Sequence, residues 1–193
     1  MRPLYDFVIH LENRYDNELK HGELLLKRDH RWDDFEDRIS YGTIKAVPAK
    51  YDTPAAIGDT LVFHHHVNQQ PDKYGMGDDH YMVTFDPDSR SCQAIAVIKP
   101  SGEIITLANW VLLDAPPAEK KEEASASGIF LGYAEKDTTN TEGVVRAKNM
   151  FITEVNVGDT VGFRQNADYR VRLPEPHGEV FRMHIEDIYY VVE

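Results

Sequence analysis

Cysteine is nearly absent from this 193-residue chain. Its single thiol, Cys92, excludes an intrachain disulfide framework and a cysteine-ligated zinc knuckle, and it is compatible with a reducing compartment. Basic residues are scarce as well: 21 Lys and Arg stand against 33 Asp and Glu, a formal net charge of −12. Phosphate recognition needs clustered cations, so this balance argues against nucleic acid as the main partner and against docking on anionic lipid. No apolar run approaches the roughly 20 residues of a membrane-spanning helix. Residues 1–15 are interrupted by Arg2, Asp6, His10 and Glu12 and do not read as a secretory signal. The expected location is the cytoplasm. There is no glycine-rich phosphate loop, no Gly-x-Ser-x-Gly elbow and no recognisable setting for a cysteine nucleophile. The chain is therefore expected to be no enzyme and to carry no cofactor.

Helical periodicity is missing too. Apolar residues recur with period two in short stretches, among them 42–47, 59–63, 80–85, 94–98, 103–107 and 110–113. A second set follows at 143–147, 159–163, 169–173, 180–184 and 188–192. Turn residues punctuate them, as in Asp86-Pro87-Asp88-Ser89 and Pro100-Ser101-Gly102. Ten Tyr and eight Phe suit strands. Many short strands at close spacing predict an all-β sandwich or barrel. Two stretches break the pattern. Residues 27–40 are dense in charge around Trp32 and Phe35, which read as loop packing, and residues 114–127 are too polar to bury a core.

The chain also repeats itself. Gly58-Asp59-Thr60-Leu61-Val62-Phe63 returns as Gly158-Asp159-Thr160-Val161-Gly162-Phe163. Upstream, Tyr41-Gly42-Thr43-Ile44-Lys45-Ala46 is echoed by Glu142-Gly143-Val144-Val145-Arg146-Ala147. Glycine permits a positive φ at a turn, and an Asp side chain can bond a nearby backbone amide. Ile57, Leu61 and Phe63, and likewise Val157, Val161 and Phe163, are expected on one face. The pairing of turn and upstream strand predicts a duplicated unit.

With these motifs in order, the chain resembles the chaperonin-10 (GroES) family. Arg2-Pro3-Leu4-Tyr5-Asp6-Phe7-Val8-Ile9 is similar to that family's first strand. Gly22-Glu23-Leu24-Leu25-Leu26 stands where the family has a mobile loop carrying an apolar tripeptide, and Gly58-Asp59 matches its turn. In the second copy Asn109-Trp110-Val111-Leu112-Leu113 looks like the first strand, Ser127-Gly128-Ile129-Phe130-Leu131 like the loop, and residues 186–193 like the closing strand. The resemblance implies two GroES-like β-barrel repeats, residues 1–108 and 109–193, with long mobile loops and an insertion at about 68–94. It leaves residues 109–113 claimed by both repeats. The family's roof hairpin is shortened to residues 48–57 and 148–157, as in phage-encoded members.

What the resemblance implies for function is a co-chaperonin. Leu24, Leu25 and Leu26, with Ile129, Phe130 and Leu131, would bind a GroEL-type chaperonin, and a ring-shaped homo-oligomer would enclose unfolded protein substrates. Without the resemblance, residues 24–26 read better as a buried strand.

One motif points elsewhere. In a strand, His64 and His66 of the run His64-His65-His66 would share a face, a spacing suited to a metal ion. The stretch from Gly58 through His64, His66 and Gln70 to Gly77 resembles the first metal motif of cupins, with Gln in place of the usual Glu and no evident second motif. The alternatives are therefore a metal-binding β-barrel using His64 and His66, and a structural or adaptor barrel.

Overall fold

The computed structural model describes residues 2–11, 18–21, 24–27, 39–114, 120–124, 130–135 and 141–192. The chain is mostly antiparallel strand. In the first half lie β1 (Asp6–His10), β2 (Glu18–His21), β3 (Leu24–Lys27), β4 (Tyr41–Ala46) and β5 (Thr60–Phe63). Two single-turn helices, α1 (His66–Gln69) and α2 (Pro71–Tyr74), lead to β6 (Gly75–Gly77), β7 (His80–Thr84), β8 (Ala94–Ile98) and β9 (Ile104–Thr106). The second half holds β10 (Trp110–Asp114), β11 (Lys120–Ala124), β12 (Phe130–Glu135), β13 (Glu142–Ala147), β14 (Thr160–Phe163), β15 (Tyr169–Arg172), β16 (Glu179–His184) and β17 (Ile188–Val191).

Two main sheets result, in the orders β6-β7-β1-β4-β5-β8-β9 and β15-β16-β10-β13-β14-β17. Apart from β9 they match strand for strand. The irregularities match as well. The β1–β4 register shifts between Val8 and Ile9, and the β10–β13 register between Leu112 and Leu113. The β5–β8 register shifts between Val62 and Phe63, and the β14–β17 register between Gly162 and Phe163. A bulge bends a strand and sharpens its twist, so paired bulges give the two sheets the same curvature.

The duplicated turns explain how each sheet is entered. Gly58 and Gly158 have φ of 95° and 94°, in the left-handed region that side chains resist. The Asp59 carboxylate accepts from the Ala56 amide at 2.8 Å, and Asp159 from the Asn156 amide at 2.7 Å. The carboxylate thus reaches back three residues. Ile57 and Val157 precede the turn and are exposed, while Leu61, Phe63, Val161 and Phe163 are buried. The left-handed glycine breaks the alternation that would have placed all six on one face.

One expectation is corrected, and two open points of the layout take a definite form. No closed barrel forms among the described residues: each main sheet keeps two edges, β6 and β9 in one, β15 and β17 in the other. Residues 68–94 hold β6 and β7, and β7 pairs along the whole of β1, the place β16 holds beside β10. The pairing was hidden because β7 follows β1 by some 70 residues, and a strand in isolation does not name its neighbour. Residues 109–113 are not shared: β10 pairs with β13 and β16, while β9 closes on β8.

Each sheet has a core of its own, Phe7, Ile9, Ile44, Leu61, Phe63 and Val83 in the first, Val111, Leu113, Val145, Phe163, Phe181 and Met183 in the second. A third core lies between them, where Val62, Ile95, Ala96 and Ile98 meet Trp110, Leu112, Ala147, Val171 and Val180. Strands β8 and β10 are therefore apolar on both faces, which explains why they read as continuous runs. Polar contacts cross the same seam. Ser40 Oγ donates to the Arg172 carbonyl at 2.7 Å, and Arg90 pairs with Glu186 at 2.8 Å and Asp187 at 2.9 Å.

Candidate functional site

Two features stand apart from the cores. The first is a pair of hairpins. Between β1 and β4 the chain leaves the sheet and forms β2–β3; between β10 and β13 it forms β11–β12. Each is a two-stranded sheet without hydrogen-bonded neighbours in the main sheets. In the first, Leu24 pairs with His21, Leu25 with Lys20 and Leu26 with Leu19. Leu24 is 66% exposed, against the reading of a buried strand. In the second, Phe130 pairs with Ala124, and Leu131 falls at the register shift before Gly132. Ile129 lies outside the described residues, as do Trp32 and Phe35. The expected loops are thus hairpins over part of their length. Residues 24–26 and 130–131 occupy equivalent places in the duplicated topology, but each belongs to its own hairpin.

The second feature is the histidine run. Strand β5 ends at Phe63, so His64 and His66 do not share a strand face as expected. They lie in the turn that opens α1, held by the His64 amide donating to the Gln93 carbonyl at 2.9 Å and the Val67 amide donating to the His64 carbonyl at 3.1 Å. The tighter turn brings all three rings together. Their ring centres are 4.7 Å apart for His64–His65, 4.4 Å for His64–His66 and 4.2 Å for His65–His66. His65 is buried, His64 half-buried and His66 exposed. His66 Nδ1 meets Gln69 Oε1 at 3.1 Å.

Tyr169, from the start of β15, completes this cluster. Its hydroxyl bonds His65 Nδ1, and its ring lies parallel to that of His65 within 7° at 5.7 Å between centres. No local motif signals this contact, since 104 residues separate the pair. A strand would turn His65 to the opposite face from His64 and His66, so the spacing alone does not point to it.

Beyond Tyr169 the stack continues into the seam. Arg182 lies over the Tyr169 ring at 4.3 Å and over the Trp110 ring at 4.6 Å. Burial pulls the Arg182 guanidinium down to about 10. Trp110 in turn packs on His184 with ring centres 3.8 Å apart. His184 Nε2 donates to the Arg90 carbonyl at 2.9 Å, and its buried Nδ1 has no partner among the described residues. Burial pushes the His184 imidazole below its ordinary value, because protonation would add a buried N–H with nothing to accept it.

No protein-family model matches the chain, and no curated protein matches it in sequence. Among the described residues, no helix is long and apolar enough to cross a membrane.

Proposed function

We propose that the protein is a co-chaperonin of the chaperonin-10 type, a cap for a GroEL-type chaperonin ring that assists ATP-dependent folding of enclosed protein substrates. The observation that carries the reading is the pair of equivalently placed hairpins, each leaving its sheet between the first and second strands of a duplicated unit. Such an arrangement offers two apolar segments from one chain, Leu24 to Leu26 and Ile129 to Leu131. In this reading each repeat is a GroES-like unit, and identical chains assemble as a ring.

The energetics suit a reversible cap. Full burial of one large apolar side chain contributes roughly 1.5–3 kcal/mol. Ordering a segment on binding costs several kcal/mol and offsets much of that. Single contacts are then weak, and a ring of them acts through avidity, which raises affinity by about 10²–10⁴ without new chemistry. A cap held this way leaves once the chaperonin's nucleotide state alters a few contacts. The protein itself needs no cofactor for this task.

The test is binding of the purified chain to a GroEL-type ring with and without ATP, read by sedimentation. Nucleotide-dependent binding that is weakened by Ile129→Ser with Phe130→Ser, and less by Leu24→Ser, is the expected result. Equal binding by wild type and the double variant would remove the second hairpin from the interface. Absence of binding in every nucleotide state would remove the reading itself.

A further inference from the structure

We propose that His64, His65 and His66 form a binding site for one divalent transition-metal ion, of the zinc and nickel class, at the seam between the two sheets. This site is independent of the hairpins and of the capping role.

Geometry carries the inference. One ring nitrogen from each histidine lies within 4.8 Å of the others. A tetrahedral zinc ion with Zn–N bonds of about 2.0–2.1 Å holds its ligand nitrogens about 3.3–3.4 Å apart. The farthest of the three nitrogens need to close by up to about 1.5 Å, which rotation of rings already in contact supplies. Among the described residues the three imidazoles pack without an intervening carboxylate, which suits a borderline ion, since neutral nitrogen ligands select zinc, nickel or copper over calcium or magnesium.

The surroundings orient the donors. With His66 Nδ1–H donating to Gln69 Oε1, His66 Nε2 is the unprotonated nitrogen. The Tyr169 hydroxyl bonds His65 Nδ1 and lies 3.4 Å from His65 Nε2, so a metal taken by Nε2 leaves the Nδ1 contact to orient the ring. His64 Nδ1 accepts from the His66 amide at 3.3 Å, a long bond that a metal would displace at small cost. The gradient from buried His65 to exposed His66 leaves one side open to solvent, where a water or an outside ligand completes the shell. Tyr169 belongs to the second sheet and is a positioning residue, so occupancy of the site would also fasten the histidine turn to that sheet.

Equilibrium dialysis of the full chain against zinc, followed by metal analysis, tests the site. One zinc per chain is expected in the native protein. His66→Ala, an exposed change that leaves the fold intact by circular dichroism, is expected to lower zinc affinity at least ~10-fold. Unfolding in concentrated urea should lower it by a similar factor or more, since a flexible run of histidines lacks the Tyr169 and Gln69 contacts. Two results overturn the proposal: less than stoichiometric zinc in the native chain, or the same affinity in the native and the urea-unfolded chain, which would reduce the site to three neighbouring histidines.

Discussion

Arg182 lies over the ring of Trp110, its guanidinium carbon 4.6 Å from the ring centre. The same guanidinium sits opposite Tyr169 across the β15–β16 ladder. No carboxylate among the described residues pairs with it. The cation is held by aromatic faces and by the packing of its own stem, a role suited to a planar guanidinium and not to a compact ammonium. The register position it occupies against β10 is filled in the first sheet by Met82 against β1.

That correspondence predicts the ranking of substitutions at Arg182. Arg182→Met puts the first sheet's residue in the second sheet, and it is expected to stay within about 1 kcal/mol of wild type. Arg182→Ala removes the filling between two rings and is expected to cost about 1–3 kcal/mol. Urea denaturation of the two variants checks the order; equal losses would mean that the charge, not the packing, matters.

His184 predicts a dependence on pH. Its folded pKa lies below that of the unfolded chain. Above the unfolded value of about 6.5 the contribution is fully present, because both states are neutral. As pH falls from there through the folded pKa, the unfolded state takes up its proton first and stability is lost. The urea midpoint should therefore fall as the pH drops below about 7, and fall less in His184→Gln. Identical slopes in the two proteins would contradict the assignment.

The left-handed glycines of the duplicated turns, Gly58 and Gly158, predict matched effects. A Cβ added at Gly58 or Gly158 meets nothing within 4 Å, so the cost of alanine is backbone strain alone. Gly58→Ala and Gly158→Ala should each destabilise by about 1–2 kcal/mol. The sites belong to separate turns with no shared partner, so the double variant should show the sum within about 0.5 kcal/mol. Denaturant titrations of all three variants supply the comparison.

The seam predicts which contacts hold the sheets together. Leu112 is fully buried in the shared core, and Leu112→Ala is expected to cost about 2–5 kcal/mol. Arg90 pairs with two carboxylates but remains 57% exposed, and Arg90→Ala is expected to cost under about 1 kcal/mol. Because the third core joins both sheets, calorimetry should show one cooperative transition. Two resolved transitions would mean that each half unfolds alone.

Much of this arrangement was legible in the residues. The alternation of apolar and polar positions marked most strands of the main sheets, because a strand's period is fixed by its own backbone. The Gly58-Asp59 and Gly158-Asp159 turns were readable for the same reason: a positive φ and a carboxylate within three residues are local requirements. Their recurrence after similar strands announced the duplication.

What only the tertiary structure decided are the contacts that cross long stretches of chain. The pairing of β7 with β1 placed residues 80–84 in the body of the first sheet. The ending of β5 at Phe63 drew His64, His65 and His66 into one cluster instead of alternating them across a strand, and Tyr169 reached it from the other sheet. The reason is physical. Local propensity sets how a segment is shaped, but which segment lies beside it depends on the burial of faces distant in sequence, and no short motif in this chain encodes that choice.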